Sequence, residues 1–223
     1  MREIKRKIEQ LMASDSAGIP VGREFCNPEF PVPENWHEDF IVHLASIVRP
    51  KLYLELGLYH CDVFNRILPY ADHLIGVDKD PTSRKWISKS RKVRFVNSTT
   101  QEFARELYNT KLKIDMLFID ADHSEKAVLD DFGGFFPFVC QHGVVILHDT
   151  CPKNEFYIQS GYCGDAYKAI ERLSRNATEY EMVTIPVHPG LTLCRKRESQ
   201  LPWKEHNSRL AEYSIKDCPS IDK

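Results

Sequence analysis

The chain has 223 residues, 42% of them hydrophobic and 28% charged, an ordinary globular composition with enough apolar material to bury a large sheet. With 30 basic against 32 acidic residues the formal net charge is -2, so no global field gathers nucleic acid or an anionic membrane, and a small-molecule partner fits better. The length suits one doubly wound α/β unit with appendages, and the expected division is N-terminal helices and a wrapping arm over 1–49, a core domain over 50–195 and a tail over 196–223.

Met1 to Gly18 alternates charges with isolated apolar residues and reads as a short helix with Ile4, Ile8 and Leu11 turned inward. It lacks the unbroken apolar core of a signal peptide, and no span of about 18 apolar residues occurs anywhere, so a cytoplasmic protein is expected. The seven cysteines, odd in number and without a CxxC pair, are expected to be reduced thiols. Gly18 to Pro33, with four prolines, reads as an arm leading to the core. From His37 to Val48 the apolar residues Phe40, Ile41, Leu44, Ile47 and Val48 recur at helical spacing.

Five short apolar runs follow, at Leu52 to Leu56, His73 to Val77, Val93 to Val96, Ile114 to Ile119 and Val144 to Leu147, and they alternate with helical segments. Parallel strands need such long return connections, so βαβ crossovers are predicted. The segment between the fourth and fifth runs reads as a helix over Ser124 to Val139, with Asp122 as its cap, and Asp165 to Arg175 as a further helix. Tyr180 to Ile185 and Leu191 to Arg195 form a closing hairpin around Pro186 to Gly190. The fold class is therefore α/β: a doubly wound, mostly parallel seven-stranded sheet with helices on both faces and a C-terminal antiparallel hairpin.

In such a sheet ligands bind outside the carboxyl ends of the strands, where crossovers diverge to opposite faces. Polar residues fall just there: Glu55 and Gly57 after the first strand, Asp78 after the second, Thr100 and Gln101 after the third, Asp120 to His123 after the fourth, His148 and Asp149 after the fifth. Gly57 permits a tight turn and close approach of a ligand, and Asp78, about 20 residues on, is placed to accept hydrogen bonds from both hydroxyls of a ribose. A nicotinamide dinucleotide would need further glycines for its pyrophosphate where Tyr59 and Asp62 stand, which disfavours a nicotinamide-dependent oxidoreductase.

The ordered segments Leu54-Glu55-Leu56-Gly57 with Tyr59, Gly76-Val77-Asp78, Thr100-Gln101-Glu102, Met116 to Asp120 and Gly143 to Thr150 resemble those of class I S-adenosylmethionine-dependent methyltransferases. The nearest resemblance is to the catechol and caffeoyl-coenzyme A O-methyltransferase branch and to bacterial small-molecule methyltransferases with an Asp-x-Asp-His…His-Asp-Thr pattern. It implies a Rossmann-like domain over 50–195 that binds S-adenosyl-L-methionine and passes its methyl group to an oxygen of a small acceptor. It places Glu55, Gly57 and Tyr59 at the methionine end, Asp78 on the ribose and Thr100 and Gln101 at the adenine, with Asp120 bordering the cofactor.

The resemblance also puts Asp120 in a metal-ligand position and His123 where relatives place a basic residue, so these two are the expected catalytic pair. An alcohol needs a base, a metal that lowers its pKa, or both, and histidine titrates near neutrality. Asp149 matches a second metal position, and His148 is a third candidate ligand; Mg2+ would take the carboxylates, whereas the histidines invite Mn2+, Fe2+ or Zn2+. Whether a divalent cation is required stays open, as does a homo-oligomeric state. Phe156, Tyr157 and Tyr162, on the long connection after Asp149, are expected to shape the acceptor site. His60 to Val63 stand where relatives carry a small residue and a hydroxyl or amide, and this departure motivates an alternative, a degenerate methyltransferase-fold protein that binds without turnover.

Overall fold

The computed structural model describes residues 32–175 and 179–197. The helix expected before Gly18, the arm up to residue 31 and the tail from residue 198 lie outside them. The chain enters through α1 (Trp36–Val48) and builds β1 (Leu52–Leu56), α2 (Asp62–Ile67), β2 (His73–Asp78), β3 (Val93–Asn97), α3 (Thr100–Leu107), β4 (Ile114–Ile119), α4 (Glu125–Phe135), β5 (Val139–His148), α5 (Ala166–Arg175), β6 (Tyr180–Ile185) and β7 (Leu191–Lys196).

The seven strands form one sheet in the order β3-β2-β1-β4-β5-β7-β6, parallel from β3 to β5, with β7 running antiparallel between β5 and β6. The strand order turns around between β1 and β4, which makes their tips the crevice of the fold. Because successive strand residues face opposite sides, β1 sends Leu52, Leu54 and Leu56 to a core shared with α3, α4 and α5, and Tyr53 to one shared with α1 and α2. The same alternation sorts Leu117 and Ile119 from Met116 and Phe118 on β4. α1 is thus part of the packed unit, with Ile41 and Ala45 fully buried beside Tyr53 and Phe64.

Three elements differ from the sequence reading. The β2 to β3 connection carries a 3-10 turn (Pro81–Lys85) and irregular chain instead of an α-helix. Apart from Trp86 and Ile87 its residues Thr82 to Lys92 are polar, most are exposed, and they offer no continuous apolar stripe to bury. α4 ends at Phe135, not Val139, because Pro137 cannot continue the helical ladder, and a 3-10 turn (Phe136–Phe138) leads straight into β5. β5 itself starts five residues earlier than its apolar run: Val139 pairs with Ile114, then the register shifts so that Val144 pairs with Met116, and the intervening Gln141 and His142 break the pattern that marks a strand. α4 is capped by Ser124, whose Oγ accepts from Ala127 N at 3.3 Å, while Asp122 accepts from Ser124 N one step earlier.

Candidate active site

Glu55, Gly57, Tyr59, Asp78, Thr100, Gln101 and Asp120, drawn from four strand tips, line one cavity of about 460 Å³. Its volume is that of a small-molecule or cofactor pocket. His123, His148 and Asp149 do not line it but cluster against Asp120 at its edge.

Gly57 acts on the strand tips before it acts on any ligand. At φ +83° it sits in the left-handed region, and a Cβ there would lie 2.2 Å from the carbonyl oxygen of Asp120. The β1 loop and the β4 tip are therefore in backbone contact, and only glycine permits it. The loop is drawn toward β2 by Asp78, whose Oδ2 accepts from Leu58 N (2.9 Å), Tyr59 N (3.2 Å) and Ser83 Oγ (2.9 Å), and whose Oδ1 accepts from Asp80 N (2.8 Å). Two loop amides that would face a pyrophosphate in a dinucleotide site are thus turned to a carboxylate. Oδ1 carries a single hydrogen bond, against three at Oδ2. Tyr59, itself at φ 44°, is 77% exposed and lies against His60, with ring centroids 3.8 Å apart.

Deeper in, Glu55 is buried and accepts from the phenol of Tyr53. Burial pushes its carboxyl well above the usual range, which favours the neutral acid. At the β3 end of the cavity Thr99 caps α3 in a reciprocal capping box with Glu102, fixing the first turn that carries Thr100 and Gln101. Gln101 Nε2 donates to Asp131 Oδ1 at 3.3 Å. Asp131, on α4, is 2% exposed, and burial raises its carboxyl to about 6 against a hydrogen bond from Thr100.

The reactive cluster joins three elements. His123 Nδ1 lies 2.8 Å from Asp149 Oδ2 and 2.5 Å from Tyr162 O, and its Nε2 lies 3.5 Å from Asp120 Oδ1. His148 Nδ1 stands 2.9 Å from Asp120 Oδ1 and 3.4 Å from Asp149 Oδ2. Burial opposes charge on both rings, yet the two carboxylates outweigh it and raise His123 to about 11 and His148 to about 10. The same pairs hold Asp149 well below the carboxylate range and lower Asp120, against the burial of each. The sequence reading of His123 as a base with a near-neutral pKa is thereby corrected for the ligand-free site: between two carboxylates it holds its second proton.

Asp120, His123 and Asp149 offer donor atoms that all lie within 4.8 Å of one another. Two carboxylates and an imidazole fit a divalent cation of intermediate hardness. His148, expected among the ligands, stands beside this group instead, between the rings of Phe118 (6.0 Å) and His37 (4.7 Å). The connection over the cluster is tight at Gly164, at φ +56°, where a Cβ would lie 2.4 Å from the carbonyl oxygen of His123. Phe156, Tyr157 and Tyr162 gather on that connection, and Tyr157 packs on His188 of the β6–β7 turn with centroids 4.1 Å apart.

Two residues of the site escaped the sequence reading. His37 lines the cavity, its Nδ1 is buried without a partner, and burial together with His148 lowers its pKa to about 4. Its register gave it away: 37, 41 and 45 fall on one helix face, so a histidine occupies the stripe of buried Ile41 and Ala45. Asp131 likewise interrupts the apolar stripe of Val128, Phe132 and Phe135 on α4.

Against known proteins, a family model described as a methyltransferase domain matches residues 54–150. No curated protein matches the sequence. Among solved structures, a proposed caffeoyl-CoA O-methyltransferase from Staphylococcus aureus superposes with a TM-score of 0.60 at 20% identity, covering 86% of this chain and 98% of that one. The O-methyltransferase TomG from Streptomyces achromogenes, in complex with SAM, gives 0.60 at 14%, covering 86% and 96%. The N-methyltransferase NodS from Bradyrhizobium japonicum gives 0.55 at 14%, covering 74% and 97%. At these identities the likeness establishes the fold. Sheet order, the crevice at β1 and β4 and the matched segment agree: the chain has the Rossmann-like fold of these methyltransferases, and its residues 54–150 are similar to a methyltransferase domain.

Proposed function

We propose that the protein transfers the methyl group of S-adenosylmethionine to an oxygen of a small hydroxylated acceptor. The observation that carries this reading is the convergence of four strand tips on one cavity that ends at Asp120, with an Asp and His cluster immediately behind it. Adenosine lies toward Thr100 and Gln101, the ribose against Asp78, and the methionine toward Glu55, Gly57 and Tyr59. The sulfonium then points to the Asp120 end, where the acceptor meets it in line. The working unit is the segment 50–195 together with α1, which contributes His37 to the cavity.

His123 is proposed to take the acceptor proton, at Nε2. Its Nδ1 faces two acceptors, Asp149 Oδ2 and Tyr162 O, and so keeps a hydrogen in either charge state. Nε2 is the atom that gains and loses the second proton, on the side of Asp120. Base action requires that the pull of Asp120 and Asp149 on that proton be relieved. Asp120 and Asp149, with His123 beside them, are the residues that would hold a divalent cation, which when bound neutralises the carboxylates and lowers the pKa of a coordinated hydroxyl. The aromatic group of Phe156, Tyr157 and Tyr162 walls the acceptor side and favours a partly apolar or ring-bearing acceptor. A nicotinamide dinucleotide is disfavoured because the Leu58 and Tyr59 amides are taken by Asp78.

Calorimetric titration with S-adenosylmethionine and S-adenosylhomocysteine, followed by a homocysteine-release assay over a panel of phenols and sugar alcohols with and without Mg2+, tests the reading. Cofactor binding with turnover on at least one hydroxyl is expected. Binding without turnover on any acceptor would favour the degenerate alternative, and no binding would refute both.

A further inference from the structure

The adenine end of the cavity contains a feature that packing alone does not demand. Asp131 is an acid on the apolar face of α4, 2% exposed, and it spends its oxygens on the first turn of α3, accepting from the Gln101 amide at Oδ1 and from the Thr100 hydroxyl. A carboxylate can only accept. Gln101 must therefore present Nε2 to Asp131, which leaves its other amide atom, Oε1, for whatever occupies the cavity that Gln101 lines.

Resting on the cofactor assignment above, we infer that Asp131 is a positioning residue that locks the side-chain amide of Gln101 in one of its two flips and so makes the base pocket read a 6-amino purine. An amide oxygen accepts from the exocyclic amine of adenine. It faces the carbonyl of hypoxanthine with a second acceptor, and a buried mismatch of that kind leaves two polar groups unpaired. Without an acid behind it, an amide rotates to suit either ring, because its oxygen and nitrogen are nearly isosteric. The capping box of Thr99 and Glu102 holds the backbone of the turn, so the flip is the freedom that remains.

The test compares two probes, S-adenosylhomocysteine and S-inosylhomocysteine, by calorimetry on the full chain at pH 8. Wild type is expected to prefer the adenosyl probe by about tenfold or more, the lower end of what an unpaired polar group covered by the bound nucleoside costs. Asp131→Asn is expected to bind the adenosyl probe within roughly fivefold of wild type while the preference falls to about threefold or less, since an asparagine can serve as donor or acceptor. Gln101→Leu, at an exposed position that folding does not depend on, should lose the preference as well, and adding Asp131→Asn to it should change the ratio no further. If Asp131→Asn weakens both probes equally and leaves the ratio intact, the acid merely packs α4 on α3 and the inference fails. A preference retained in Gln101→Leu overturns it even if Asp131→Asn does not fold. Wild type binding both probes equally overturns this inference alone, whereas wild type binding neither overturns the cofactor assignment itself.

Discussion

Replacing Gly57 by alanine tests the contact on which the cavity is built. At φ +83° an L-residue costs about 1–2 kcal/mol of backbone strain. The new methyl would also stand 2.2 Å from Asp120 O and 2.6 Å from Ala121 Cα, both backbone atoms that no rotamer change can clear. The tips of β1 and β4 must separate by more than an ångström, breaking the Asp120 N to Leu56 O bond of 2.9 Å or straining it, for a further cost of about 1–2 kcal/mol. The total of about 2–4 kcal/mol corresponds to a fall in Tm of roughly 5–12 °C for a chain of this size. Asp120 would move with its tip, so affinity for S-adenosylhomocysteine should drop by about tenfold or more, a penalty of 1.4 kcal/mol or above. Gly133→Ala is the internal control. It lies in α4 with nothing within 4 Å of its would-be Cβ, and should leave Tm unchanged or raise it by a helix-propensity gain of about 0.5–1 kcal/mol. Thermal melts and calorimetry on both variants decide the matter. If Gly57→Ala melts with wild type and binds the ligand as tightly, the two strand tips are not in contact and the cavity is not formed as described.

Further expectations follow from the cluster. His123→Ala should cut turnover by about 100-fold or more with little change in cofactor affinity, as for a positioned base, while Asp78→Ala should do the reverse; equal and negligible effects would remove both assignments. In metal-free protein the raised His123 and His148, at about 11 and about 10, add stability that is whole below their unfolded value of 6.5 and is lost as pH rises toward 10–11. The depressed Asp149 adds stability present above its ordinary value of 3.8 and lost as pH falls below it. Melts of wild type against a His123→Gln, His148→Gln double variant should therefore differ most between about pH 4 and pH 6.5 and converge only as pH passes about 11, and a constant gap would contradict the pairing. Addition of Mn2+ to the metal-free protein at pH 7 should release protons, detectable as buffer-dependent calorimetric heats, because the cation competes with the imidazolium for the same carboxylates; binding heats independent of the buffer would argue that His123 was neutral from the start.

The centre of the sheet was legible because β1 and β4 are buried apolar runs that begin and end where the sequence pattern does, and the half-exposed β6 was found at its predicted bounds as well. The parallel crossovers and the closing antiparallel hairpin followed from connection length, whereas the strand order came only with the structure. β5 was only half visible: the shift in register around Gln141 and His142 hides its first turn from any reading by apolar content. The lining of the cavity could be anticipated from sequence because residues just past the ends of β1 to β4 supply it. The charge state of the Asp and His cluster was not legible, since the proton on His123 depends on the spacing of Asp120 and Asp149, which lie 29 residues apart in sequence and meet through the β4 and β5 pairing. His37 and Asp131 are polar residues on buried helix faces, and their function becomes evident only when the opposite wall is known.

The place of β7 governs how the molecule can be made. It is the last of the described strands to leave the ribosome, yet it inserts between β5 and β6 in place of extending the sheet at its border. Until residue 196 has been synthesised, the whole flank of β5 from Val144 to His148 offers unpaired amides and carbonyls beside exposed apolar side chains, the arrangement that invites neighbouring nascent chains to pair. A premature stop anywhere before Leu191 should thus yield insoluble protein, not a soluble fragment with weakened function.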